Sequence, residues 1–205
     1  EGEDKEAEQP CAKAMNGAWS VFRNYAAHAV EIGGDVTDYP RFCLMPPSAI
    51  VEADEQGNAP LALGAPEEHI EHEVELVIRL GEDLQPEAVC VGCDTTNRTR
   101  QSLAKKKGWP WHEGKGFRGS GVCGTWAPYS EGPLEIGLSV NGEVKQNSTT
   151  ALMVHAVASL LQRLKEWYDL SPSDLIFTGT PAGVSPLKPG DKVDAWLKDG
   201  EGNSV

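Results

Sequence analysis

Two glutamates one residue apart, Glu73 and Glu75, stand in the run His72-Glu73-Val74-Glu75-Leu76-Val77-Ile78-Arg79-Leu80. Val74, Leu76, Ile78 and Leu80 alternate with polar positions, and Val77 breaks the pattern. Period two predicts a β-strand with one face in the core, so both carboxylates project from the same face. Adjacent carboxylates repel each other and are costly to bury unless positive charge sits between them. Mg²⁺ or Mn²⁺ would provide it, because hard divalent ions favour carboxylate oxygens. The simpler account of this strand alone is a solvated edge with its acids in water. A third acid, Asp94, closes the apolar run Ala88-Val89-Cys90-Val91-Gly92-Cys93. That run predicts a buried strand, and an acid delivered at its C-terminal edge could complete a hard-metal triad. Cys90 and Cys93 read as core thiols rather than half a zinc site. There is no second CxxC, and strand positions three apart point to opposite faces.

A second pair able to do chemistry is His28 and Glu31. Arg23 to Ile32 predicts a short helix closed by Gly33-Gly34, and positions three apart share a helix face. A carboxylate beside an imidazole fixes the ring's orientation, as a general base requires. Taken alone, a surface His–Glu pair is the simpler account, because this spacing is common by chance. Lys115 lies in the glycine-rich stretch Gly114-Lys115-Gly116-Phe117, and Thr180 in Thr178-Gly179-Thr180-Pro181. A lone lysine in such a loop is usually solvated. The Thr180 hydroxyl could serve a ligand oxygen or be satisfied within its own turn.

These residues need a scaffold, and the remaining pattern supplies a strand-rich one. Ala18–Phe22 predicts a strand, and Arg41–Val51 an extended segment broken at Pro46-Pro47. Residues 52–66 predict a loop. Thr95-Thr96-Asn97 offers an N-cap to a basic helix running to about Lys107, which reads either as an anion-attracting rim or as a surface helix. Leu134–Val140, Asn141-Gly142 and Glu143–Gln146 predict a hairpin. Met153, Val157, Leu160, Leu161, Leu164 and Tyr168 have the spacing of an amphipathic helix over Ala151–Tyr168, on which His155 reads as structural. A last strand is expected over Lys192–Leu197. No repeat, βαβ alternation or phosphate-binding glycine fingerprint appears.

The chain has 205 residues with formal net charge −13, 40% hydrophobic and 24% charged residues, which suits one globular domain. Such a charge would be repelled by nucleic acid phosphates and anionic membranes, so neither is expected as a partner. No apolar run approaches a bilayer-spanning length. Five cysteines without a framework predict reduced thiols in a cytoplasmic setting. Residues 1–15 are Glu-rich, lack an apolar pattern and read as an acidic N-terminal arm before a domain over 16–205.

Several motifs in order carry a resemblance. They are Arg23-Asn24-Tyr25-Ala26-Ala27-His28 with Glu31, Pro46–Val51, His72–Leu76, and Asp94 before Thr96 and Arg98. Trp111, Lys115-Gly116-Phe117, Asn141–Val144 with Gln146, Phe177–Val184 and Leu187–Asp191 follow. The series resembles the fumarylacetoacetate hydrolase family in its short single-domain branch, from about residue 18 onward. The resemblance implies an α+β fold, a mixed β-sheet roll with flanking helices, and a homodimer. It implies Mg²⁺ or Mn²⁺ held by Glu73, Glu75 and Asp94, and a water-activating dyad of His28 and Glu31. It also implies Lys115 as a catalytic cation, and Arg23, Gln101 and Thr180 as substrate contacts. The substrate class is a small 2-oxo acid. The expected reaction is cleavage of a carbon–carbon bond in an acylpyruvate such as fumarylpyruvate, giving pyruvate and a carboxylic acid, within aromatic catabolism. The alternatives are an oxaloacetate decarboxylase, a 2-hydroxyhepta-2,4-diene-1,7-dioate isomerase, or a non-catalytic homologue that binds a metal or 2-oxo acid. The chain departs from the family pattern at Met45, Cys93, Thr99, Arg118 and Leu152.

Overall fold

The computed structural model describes residues 17–205, and the acidic arm expected over 1–15 lies outside them. The chain opens with β1 (Ala18–Val21), α1 (Ala26–Glu31), β2 (Phe42–Met45) and β3 (Ile50–Glu52). β4 (Ile70–Glu71), β5 (Val74–Leu80), β6 (Pro86–Asp94), β7 (Thr96–Asn97) and α2 (Arg98–Lys107) follow. The second half holds β8 (Gly121–Cys123), β9 (Ala127–Pro128), β10 (Glu135–Val140), β11 (Glu143–Thr149), α3 (Val157–Trp167), β12 (Leu175–Phe177) and β13 (Val193–Lys198). The main sheet runs β2-β1-β12-β5-β6-β8-β3, with β9 also paired to β6. β1 pairs β12 in parallel and β3 pairs β8 in parallel; the other contacts are antiparallel, so the sheet is mixed. A three-stranded sheet, β11-β10-β13, and a two-stranded ribbon, β4-β7, complete an α+β fold. Among the described residues no helix is long and apolar enough to cross a membrane.

β5 lies inside the main sheet, between β12 and β6, so the solvated-edge account of its acids does not hold. Both of its faces are covered, which explains Val77. Val74, Leu76, Ile78 and Leu80 enter the larger core cluster with Ile136, Leu138, Leu160, Leu164 and Leu197. Val77 enters a smaller cluster with Ala18, Met45, Cys90, Cys123 and Phe177. The odd face of β5 therefore passes from carboxylate at Glu73 and Glu75 to hydrocarbon at Val77. Cys90 and Cys93 fall in different clusters, as opposite faces require.

Two helices begin later than the sequence pattern places them. α1 starts at Ala26, because Arg23 takes a left-handed φ of 53° and Tyr25 is extended. α3 starts at Val157; a 3₁₀ turn covers Thr150–Leu152, and Met153 is extended. The buried Asn24 amide explains this. Its Nδ2 donates to the His155 carbonyl at 2.9 Å, and the His155 N–H donates to its Oδ1 at 2.7 Å. A peptide engaged at both groups by a side chain cannot join a helical ladder. The hairpin forms at the expected place, with Asn141 and Gly142 both at positive φ (52° and 82°), the signature of a type I′ turn. α2 is capped by Asn97, whose side chain accepts from Arg100 N, and ends at left-handed Gly108.

Candidate active site

The β5/β6 register sets Glu75 opposite Gly92 and Val74 opposite Cys93. One step on, the Asp94 N–H donates to the Glu73 carbonyl at 2.9 Å. Residues directly opposite in an antiparallel pair share a face. Glu73, Glu75 and Asp94 thus converge, each offering an oxygen within 4.8 Å of the others, and all three are buried. Asp94 Oδ1 is buried with no hydrogen-bond partner. An orphaned carboxylate oxygen inside a cluster of hard oxygen donors fits a divalent cation of the Mg²⁺ or Mn²⁺ kind.

Cations already present hold part of this charge. Lys115 Nζ lies 2.7 Å from both Glu73 Oε2 and Asp94 Oδ2. Burial would push its pKa down, but Asp94, Glu73 and Glu75 outweigh burial, so it is raised and the ammonium stays charged. Arg98 Nη2 donates to Glu73 Oε1 at 2.7 Å, and Arg98 also engages Glu71 and Gln101. Burial pushes the Glu73 carboxyl up, yet Lys115 and Arg98 prevail and hold it down at about 2. Glu75 is pushed well up, first by burial and then by Asp94. Asp94 is also raised by burial, with Lys115 opposing and Glu73 adding. Ser20 Oγ donates to Asp94 Oδ2 at 2.8 Å.

Glycine makes two close approaches to this centre. Gly179 N donates to Glu75 Oε2 at 2.7 Å from a backbone φ of +96°, and a Cβ there would lie 2.7 Å from Asn24 Cβ. Gly114 packs so tightly on α2 that a Cβ would come within 2.7 Å of the Gln101 backbone N, which brings the Lys115 loop down onto the helix. Behind the triad, Gln146 is a buried hub. Its Oε1 accepts from Val74 N and pairs with His72 Nδ1, while its Nε2 donates to Thr180 Oγ1 and the Pro181 carbonyl. Burial lowers the His72 pKa, which suits a neutral ring fixed between Gln146 and Ser185.

His28 Nδ1 lies 3.0 Å from Glu31 Oε2, and Glu31 Oε1 accepts the Gly183 N–H at 2.9 Å. With Nδ1 engaged by a carboxylate, Nε2 is the nitrogen left to exchange a proton. A cavity of about 40 Å³ collects His28, Glu73, Glu75, Lys115, Arg23, Gln101 and Thr180 on its walls. Glu31 and Asp94 stand behind that wall, reached through His28 and Lys115. Thr180 Oγ1 accepts from Gln146, while its own contact to the Pro181 carbonyl is 3.4 Å. The hydroxyl proton is therefore weakly held and open to a ligand oxygen.

Ser20, Cys43, Arg98, Lys105 and Trp111 line the same cavity; the sequence assigned none of them a site role singly, though Arg98 and Lys105 lie on the basic helix read as an anion-attracting rim or a surface helix. One signal was available for the helix. Arg98, Gln101 and Lys105 are spaced i, i+3, i+7 and share a face of α2. Met45, Thr99, Arg118 and Leu152 do not line the cavity. Met45 is core, Thr99 Oγ1 accepts the His69 N–H, and Leu152 is exposed.

A family profile described as fumarylacetoacetate (FAA) hydrolase C-terminal matches residues 17–203. The chain is 35% identical over 192 residues to a mitochondrial oxaloacetate decarboxylase of Dictyostelium discoideum, covering 87% of each chain. It is 33% identical over 188 residues to an oxaloacetate tautomerase of Escherichia coli, covering 84% of each. The solved fumarylpyruvate hydrolase of Pseudomonas aeruginosa, in complex with Mn²⁺ and pyruvate, superposes with a TM-score of 0.83 at 31% identity. That likeness covers 89% of this chain and 85% of the other. The chain belongs to the fumarylacetoacetate hydrolase C-terminal family.

Proposed function

We propose that this chain is a divalent-metal-dependent enzyme that makes and consumes the enol of a small 2-oxo acid, with oxaloacetate as its substrate. The observation that carries the reading is the placement of Lys115 Nζ, 2.7 Å from Glu73 and Asp94, on the same cavity wall as His28. Enolisation moves a proton from carbon and leaves negative charge on an oxygen. A fixed ammonium answers the second need and an oriented imidazole the first.

A cation held by Glu73, Glu75 and Asp94 would supply Lewis-acid polarisation of the keto group. The residues of the chain do the rest. His28 Nε2 takes the proton from C3 of the keto acid while Glu31 holds Nδ1–H and stabilises the imidazolium. The C3–H electron pair becomes the C2–C3 double bond, and charge arriving on the C2 oxygen faces Lys115. Return of the proton to that oxygen completes keto–enol interconversion. Loss of carbon dioxide from oxaloacetate instead breaks the C3–C4 bond, whose electron pair becomes the C2–C3 double bond of a pyruvate enolate; its charge also arrives on the C2 oxygen facing Lys115, and no base is needed.

Cleavage of an acylpyruvate is the second reading, favoured by the likeness to fumarylpyruvate hydrolase and by the His28–Glu31 pair, which can activate a water. The test is a panel with and without Mn²⁺ or Mg²⁺. Ketonisation and decarboxylation of oxaloacetate are followed alongside loss of diketo-enol absorbance from several acylpyruvates. Metal-dependent acceleration of oxaloacetate ketonisation supports the first reading. Acylpyruvate cleavage with no effect on oxaloacetate replaces it by the second, and inertness of the whole panel in the metal-loaded protein rejects both.

A further inference from the structure

Four cations reach the cavity in a chain of net charge −13, and they are not equivalent. Arg98 is paired with Glu71 and Glu73, and Lys115 with Glu73 and Asp94. Arg23 and Lys105 form no ion pair among the described residues, though both line the cavity. They are the two ends of one stack. The Arg23 guanidinium sits 4.5 Å over the Phe22 ring, Phe22 meets Trp111 edge-on at 5.7 Å, and Lys105 Nζ sits 4.9 Å over Trp111. The aromatic pair holds two cations toward the cavity without neutralising them.

Arg23 also carries a cost. Its φ of 53° is strained for a non-glycine residue, and its Nε is buried with no hydrogen-bond partner. Nη1 is already engaged, donating to the Asp35 carbonyl at 3.3 Å, so the unmet Nε is the donor a ligand contact at this wall would satisfy. Lys105 sits seven residues beyond Arg98, about 10 Å along α2, and helical side chains lean toward the N-terminus, here back over the cavity. The Lys105 ammonium is pushed down by burial and then by Arg98 and Arg23, with Glu73 opposing from a distance.

We infer that Lys105, with Arg23 at the other end of the stack, receives the distal carboxylate of a dicarboxylic 2-oxo acid and so sets selectivity for diacids over pyruvate-like monoacids. The inference rests on the 2-oxo acid reading above, which places the other end of the substrate at the acidic triad. Oxaloacetate and fumarylpyruvate, the substrates named for the relatives, both carry such a second carboxylate. A charge-assisted hydrogen bond to it would be absent for a monoacid.

The test is a stopped-flow titration of Trp fluorescence in the Mn²⁺-loaded protein with oxalate, pyruvate and fresh oxaloacetate, read before turnover. Wild type should bind oxaloacetate about tenfold or more tighter than pyruvate, the effect of one strong polar contact. Lys105→Met should erase most of that advantage while leaving oxalate and pyruvate within about twofold, and Lys105→Arg should restore it. Arg23→Gln should weaken oxaloacetate selectively as well. Equal binding of pyruvate and oxaloacetate by wild type, or a Lys105→Met that weakens all three ligands alike or none, overturns the clamp and leaves the 2-oxo acid reading standing. A wild-type protein that binds Mn²⁺ and none of the three ligands overturns both.

Discussion

Gly183 N donates to Glu31 Oε1 across 152 residues of chain, so the far end of the fold aims the carboxylate that orients His28. Glu31→Gln should keep the shape of that contact and lose the charge. The amide can no longer fix Nδ1–H and stabilise an imidazolium. We expect kcat for any step needing proton transfer at His28 to fall by about 10²-fold or more, with KM little changed. Decarboxylation of oxaloacetate, which needs no base, should largely survive. Comparable losses of ketonisation and decarboxylation in steady-state assays would sink this division of labour.

Glu75 and Asp94 are held above the ordinary carboxylate range. Such acids bind more protons folded than unfolded. The metal-free protein therefore loses stability as pH climbs from the ordinary carboxylate range toward their raised values. A divalent cation needs these ligands deprotonated and competes with the protons. Mn²⁺ affinity should rise across that window, and the gain in Tm on adding Mn²⁺ should be larger at about pH 7.5 than at about pH 5. Glu73→Ala should remove the gain at both, and unchanged Mn²⁺ affinity in that variant would refute the triad.

Gly179→Ala should cost both stability and metal affinity. Its φ of +96° disfavours any Cβ, and the added atom would meet Asn24 Cβ at 2.7 Å. We expect a loss of about 2 kcal/mol or more in urea unfolding. If Gly179 N moves, Glu75 loses its backbone donor, and Mn²⁺ binding measured by titration should weaken too. Weakened folding with intact binding would mean that the contact is structural only.

Asn24→Ala should be worse than its size suggests. The side chain is fully buried, donates to the carbonyls of His155 and Thr178, and accepts from His155 N. Buried groups left unpaired cost about 1–3 kcal/mol each, so a loss of about 3 kcal/mol is expected in chemical denaturation. A loss under about 0.5 kcal/mol, the range of surface substitutions, would contradict the account of where α3 begins.

The triad was legible because strand periodicity places side chains by parity, and Glu73, Glu75 and Asp94 obey it. What parity cannot show is which strands flank β5. The solvated edge and the buried centre have the same local pattern and differ only through β12 and β6, far apart in sequence. The late start of α3 was illegible for a similar reason, since Asn24 acts on His155 from 131 residues away. The short strands β4, β7 and β9 hold two residues each and carry no period to read. Lys115 looked solvated because a glycine-rich loop says nothing about what it packs against. Gly114 against Gln101 is a tertiary fact.

The parallel pairing of β1 with β12 bears on how the protein is made. Gly17 and Asp174, at the start of that seam, lie 157 residues apart. A contact so remote pays its loop-closure entropy before any reward, which places it late in folding. β6 follows β5 directly in the chain and is available to pair with it early in synthesis, whereas the other edge of β5 has its partner only once β12 has been made. An open edge beside apolar residues is a template for joining other chains. Until β12 emerges the nascent polypeptide carries two such edges, one on β1 and one on β5, and the edge on β1 needs shielding longest.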